Sequence, residues 1–309
     1  MNRRLLRGAV ALAALALANG CTESDSPVAP AGEAVLAAAA TRTVLPTGTG
    51  MGTRESPPLA RTKYRIEAHD NRFVMAGTSN VYLIWYGSWQ GDSSQTILTD
   101  FVTSLGGSAY FTILRLFPRS DGYTPSGGLV FGGAIADPFS RGATLTRADV
   151  DSLITSALTT GALPVDPRGI YAVMLSPDIY VDGFASEHCA YHGHMLLNGS
   201  TMKYVVVGGP ARSPARCAAT LAGPNGDFTA DNMAPLLAAQ LANAVTDPQL
   251  VGWYDRLGLE MADKCAWDFG TTYTAPNGAP ANVQLGRRHW LLQRLWVPSK
   301  SGGSCRLSP

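Results

Sequence analysis

The chain has 309 residues, a net charge of +1 and only 15% charged residues. That balance offers no basic surface to nucleic acid and no strong field to an acidic polymer, so neither is an expected partner. Beyond the N-terminus no apolar run is long enough to cross a bilayer, and 33 glycines with 20 prolines predict short elements joined by many turns.

Residues 1–21 read as a signal peptide of the lipoprotein type. Arg3, Arg4 and Arg7 form a basic start, and Gly8–Ala18 is a short apolar run. Ala18-Asn19-Gly20-Cys21 then resembles a lipobox, although Ala18 and Asn19 depart from the usual Leu and small residue. Cys21 is the expected lipid acceptor; the alternative is plain secretion with a free Cys21. Such an anchor holds a protein to a membrane without a spanning helix. Residues 22–62, rich in Ala, Pro, Thr, Ser and Gly, are predicted to be a flexible tether. Residues 63–309 are expected to form a single globular domain, placed on the outer face of the cell envelope or outside the cell.

Within that domain Asn80–Gly87 (NVYLIWYG) is an apolar, β-branched run that predicts a strand buried on both faces. Asp92 or Ser93 caps a helix with Ile97, Leu98, Phe101, Val102 and Leu105 on one face, ended by Gly106-Gly107. Tyr110–Phe117 reads as extended, and Gly127–Gly133 as a short strand. Thr146 starts a second helix with Asp149 in its first turn, and Gly161 ends it. Gly169–Ser176 and Lys203–Gly208 are further strands, separated by a long excursion over 177–202. A helix from about Asp231 to Val245 presents Met233, Leu236, Leu237, Leu241, Ala244 and Val245 as one apolar stripe. Gln240 falls inside the stripe and needs a partner there. Residues 271–297 suggest a hairpin about Asn277-Gly278, with Trp290 and Trp296 packed. The expected fold is α/β, a mixed sheet flanked by helices with a C-terminal β-hairpin.

Two clusters carry chemistry-bearing side chains. His188-Cys189-Ala190-Tyr191-His192-Gly193-His194 holds three of the five histidines. It is either a polar loop with an oxidised cysteine or a chelating His-x-His, without the second pair that a structural zinc finger needs. Glu260 and Asp263 are either solvated charges beside Lys264 and Arg256 or acids sharing a helical turn and approaching a metal or a leaving group. No Gly-x-Ser-x-Gly elbow and no phosphate-binding glycine loop occurs. Asn198-Gly199-Ser200 has the form of a glycosylation acceptor and reads as a turn.

Several blocks in order, NVYLIWYGSW, TTGALPVDPRGIYAV, GF-x4-C-x2-H and GPNGD before a Met-containing helix, resemble the phosphate-induced protein, or EXORDIUM-like, family from about Asn80 to Cys305. Plant members are secreted and linked to growth responses. Bacterial and fungal relatives often read CGWHTH where this chain has CAYHGH, and HExxEAVTDP where it has AQLANAVTDP. The resemblance therefore implies a zincin-like layered architecture in which Ala239 stands at the zinc-ligand His, Gln240 at the catalytic Glu and Asn243 at the second ligand. His192, His194, Glu260 and Asp263 survive without rebuilding that site. The same comparison implies that Cys189 pairs with Cys217 and Cys265 with Cys305, leaving Cys21 for lipid.

The favoured expectation is a lipid-anchored, non-catalytic envelope protein without a cofactor, binding a peptide or glycan in a degenerate cleft. The alternatives are a metal-dependent hydrolase with zinc at His192, His194 and Glu260 or Asp263, and a surface module used in adhesion.

Overall fold

The computed structural model describes residues 51–55 and 64–309. The expected signal peptide, Cys21 and most of the expected tether lie outside the described residues. Within the tether range, Met51 is fully buried and bridges Ala190, and Arg54 N donates to Arg216 O, so this piece packs on the domain.

Five strands form the central sheet: β1 (Gly77–Tyr86), β2 (Pro125–Asp137), β3 (Ile170–Leu175), β4 (Ala190–Leu197) and β5 (Ser200–Val207). Their spatial order is β2-β1-β3-β5-β4. The first four in that order run parallel, and β4 closes the edge antiparallel to β5. Parallel strands covered on both faces must be apolar throughout, and β3 is, with all its side chains buried. Each fully buried Val, Leu or Ile there stabilises by about 1.5–3 kcal/mol.

Helix α1 (Ser93–Leu105) starts at Asp92, whose side chain accepts from Ser94 N. Helix α2 (Arg147–Thr159) starts with a reciprocal capping box between Thr146 and Asp149. Helix α3 (Phe228–Thr246) packs against β4 and β5. The other face of β4 and β5 meets α2, where the Arg147 guanidinium carbon lies 4.2 Å from the Tyr191 ring centroid. Helices thus cover both faces. After α3 the chain forms three small antiparallel ladders instead of the one expected hairpin: 273–274 with 280–281 around Asn277-Gly278, 283–285 with 288–290, and 295–299 with 302–306. Trp290 and Trp296 are both buried.

Four expectations are corrected. Tyr110–Phe117 is not extended: Phe111–Leu116 is a 3-10 helix whose start is tied by Phe111 N donating to Ser108 Oγ. The short strand at 127–133 is the middle of the thirteen-residue β2. The excursion over 177–202 contains β4, so His192 and His194 stand on a strand and not in a loop. Asn198 and Gly199, with φ of 50° and 79°, supply the positive-φ pair of a two-residue hairpin turn joining β4 to β5. Finally, α3 begins at Phe228, earlier than expected, because Asp227 caps it by accepting from Ala230 N. It has no single apolar stripe, since every residue from Ala230 to Thr246 is buried.

Candidate functional site

Helix α3 is fixed at both ends by its own polar side chains. Asp227 also accepts from Ser93 Oγ and Ser94 Oγ at 2.8 Å each, coupling the starts of α1 and α3. Asn232 Oδ1 accepts from Ala219 N and Thr220 N, and Asp231 accepts from Asn225. At the C-terminal end Asp247 N donates to Asn243 O, and Asp247 Oδ1 accepts from Gly252 N, turning the chain back. The return carries Glu260, and Asp263 starts a 3-10 turn ending at Cys265.

Strand β4 lies over the middle of this helix, and four chain segments meet there. His192 Nδ1 is 3.3 Å from Gln240 Oε1, and its Nε2 is 3.2 Å from Asp247 O and 3.3 Å from Glu260 Oε1. One turn along α3, Asn243 Nδ2 donates to Asp263 Oδ1 at 3.1 Å while Asn243 Oδ1 accepts from Ala262 N at 3.0 Å. Glu260 N donates to Asp263 Oδ2 at 3.3 Å. His192, Gln240 and Asn243 are fully buried, and Glu260 and Asp263 are 1% exposed. The expectation of Glu260 and Asp263 as solvated charges is therefore wrong. Lys264 is buried too, paired with Asp255 at 2.8 Å.

Burial disfavours the imidazolium and holds His192 below its ordinary pKa. A neutral ring has one N–H. With that proton on Nε2, the ring donates to Asp247 O and Nδ1 must accept. The two ends of an amide exchange by a flip, and assigning the nitrogen to the 3.3 Å contact lets Gln240 donate to Nδ1 and gives Nε2 the partner it otherwise lacks. A carboxylate at 240 has no proton to give in this arrangement. The same logic holds at Asn243, whose amide donates to one group and accepts from another, whereas a carboxylate would face Asp263 with like charge.

Of the residues singled out from sequence, His192, Gln240, Asn243, Glu260 and Asp263 come together. Ala239 is buried on the same helix and contributes no polar atom. His194 shares the face of His192 but lies towards the edge, half-exposed, and its buried Nδ1 has no hydrogen-bond partner among the described residues. Among the described residues no group of three or more His, Cys, Asp or Glu is arranged to hold a metal ion. Cys189 is bonded to Cys217 and Cys265 to Cys305. Sequence reasoning missed the Lys264–Asp255 pair and Gln293, whose Nε2 donates to Ala262 O. No local pattern marks them out, since each partner is distant in sequence or lies across a turn.

Comparison with known proteins decides the family. The region described as "Phosphate-induced protein 1 conserved region" matches residues 67–306. The chain belongs to the phosphate-induced protein 1 family. It is 31% identical to Protein EXORDIUM-like 3 of Arabidopsis thaliana over 263 residues, covering 72% of this chain and 78% of that protein. It is 28% identical to Protein EXORDIUM of the same plant, covering 64% and 72%. With Protein PHOSPHATE-INDUCED 1 of Nicotiana tabacum the identity is 27%, covering 74% and 84%. No solved structure matches.

Proposed function

We propose that the protein is an exported, non-catalytic member of this family that acts by binding an extracellular peptide or glycan, its zincin-like scaffold kept as structure. The pair of amides carries this reading. Asn243 donates an amide proton to Asp263 in a dry core, and Gln240, with its amide assigned nitrogen-first to His192 Nδ1, donates likewise; carboxylates lack both protons. A hydrolytic zinc centre takes three protein donors and an open fourth position. Among the described residues only His192 and Glu260 approach each other as donors, both ring nitrogens of His192 are engaged, and both residues are buried. This donor set does not fit zinc. The zincin-like reading draws on the single antiparallel edge strand, which brings its side chains onto a long helix.

Export and anchoring rest on the lipobox-like start and on two disulfides, which persist in oxidising compartments. Those bridges use four of the five cysteines and leave Cys21 for lipid. The hydrolase alternative built on His192, His194 and Glu260 or Asp263 has less support, since His194 stands apart from the cluster. Zinc analysis of protein purified without chelator tests the choice. Wild type should carry no stoichiometric zinc, and the triple variant Ala239→His, Gln240→Glu, Asn243→Glu should acquire it. Stoichiometric zinc in wild type, lost in the His192→Ala/His194→Ala double variant, would establish the hydrolase instead.

A further inference from the structure

One groove of about 530 Å³ opens beside the C-terminal end of α3, lined by 73–77, 79, 119, 123, 167–168 and 203. It lies on the same face of the sheet as the buried cluster. Lys203 is two residues from Val205, the cross-strand partner of His192, and Met75 N donates to Val245 O of α3. Among the described residues no acidic side chain lines it, while Arg119, Arg168 and Lys203 do. Arg119 is already neutralised by a two-pronged contact with Asp121. Arg168 is exposed and makes no ion pair among the described residues. Lys203 is buried at the floor with Nζ donating to Pro167 O and, at 3.4 Å, to Thr201 O. Asp166 Oδ2 accepts from Asn80 Nδ2 and Tyr82 Oη and its Oδ1 from Arg168 N, so its charge acts on Lys203 but makes no ion pair with the Arg168 guanidinium among the described residues.

Two aromatic rings stand at the rim, and both are unusually open: Tyr123 is 66% and Phe73 40% exposed. Each has an arginine beside it, with Arg119 5.4 Å from the Tyr123 centroid and Arg72 5.6 Å from that of Phe73, and each keeps surface open to solvent. The backbone is shaped around Arg168. Gly77 has φ +81°, and a Cβ there would come within 3.1 Å of Arg168 Nη2.

We propose that this groove is a binding site for an acidic saccharide, a chain of uronic acid residues. The C–H face of a pyranose ring stacks on an exposed aromatic ring, and its carboxylate takes the two-pronged geometry that a guanidinium offers. Lys203 adds a second cation at the floor. A run of acidic residues alone, such as polyglutamate, supplies carboxylates but no ring to stack on Tyr123 and Phe73. The proposal rests on reading the protein as a binding protein, and it names the ligand class and places it outside the closed cluster.

Calorimetric titration of the purified protein at low salt, with a trimer of galacturonic acid, tests it. The acidic trimer should bind, and a neutral galactose trimer should not. Arg168→Gln should weaken binding about tenfold or more, the loss of one charge-assisted pair, and Tyr123→Ala several-fold. Both residues are exposed, so an unchanged melting temperature certifies the fold of each variant. No binding of the acidic trimer, unaltered binding in Arg168→Gln, or equally tight binding of a pentaglutamate peptide would each overturn the site. None of those results touches the zinc analysis, so a failure here is distinct from a failure of the non-catalytic reading.

Discussion

The buried cluster under β4 and the groove at the end of α3 occupy one face of one sheet, yet they treat polar side chains in opposite ways. In the cluster His192, Gln240, Asn243, Glu260 and Asp263 are withdrawn from water and bonded to one another. In the groove Arg168 is exposed and unpaired among the described residues, and two aromatic rings are open to solvent. Withdrawal makes each proton count, because an unsatisfied group in a dry core loses its hydration with nothing in return. Exposure makes a charge nearly neutral for stability and keeps it available to a ligand. A region can be rich in functional residue types and still be structural; what separates the two is whether its donors are already spent.

That contrast predicts large stability effects in the cluster and small ones in the groove. Asn243→Asp should cost most, about 3–5 kcal/mol at neutral pH, by placing a second buried carboxylate against Asp263. The added acid has its pKa raised, so the folded form binds a proton the unfolded form has released. The loss should therefore shrink as pH falls, read from denaturant midpoints across pH. Replacing Cys265 and Cys305 together should cost a similar amount, about 4 kcal/mol in the chain-entropy model for a bridge spanning this length, again read from the denaturant midpoint.

The pH dependence of the wild type comes next. Burial holds His188 down to about 4, while an unfolded histidine titrates near 6.5. Between those values the unfolded chain takes up a proton that the folded chain refuses. Stability should fall by about 3 kcal/mol as pH drops from about 6.5 to about 4 through this residue. A His188→Phe variant that keeps the wild-type slope would remove His188 as its source. The smallest effect belongs to the groove: Arg168→Gln should shift the unfolding free energy by no more than about 0.5 kcal/mol. A larger loss would mean that Arg168 is committed to the fold and not free for a ligand.

Much of the frame was legible from sequence because its causes are local. The apolar runs of β1 and β3, the Asp92 cap and the Thr146–Asp149 box depend on residues that are neighbours in the chain. Strand β4 was hidden because its pattern is inverted. His192 is buried against α3 while Leu196 is 74% exposed, so alternation of apolar and polar side chains gave no strand signal. The burial of Glu260, Asp263 and Lys264 was illegible for a different reason. Asn243 meets Asp263 from twenty positions away, and Asp255 meets Lys264 across a turn. A charge in a sequence reads as solvated until its partner is seen. Gln240 was the exception, since a polar residue amid apolar helix neighbours advertised its need.

The central claim is that the cluster is spent, with His192 neutral, closed and bonded on both ring nitrogens. Two-dimensional NMR of the His192 imidazole nitrogens, followed through a pH titration with and without added zinc, tests it most directly. The account predicts one neutral tautomer with the proton on Nε2, no titration near 6.5, and no zinc-induced shift. Protonation near the ordinary histidine value, or a shift of either nitrogen on adding zinc, would contradict it.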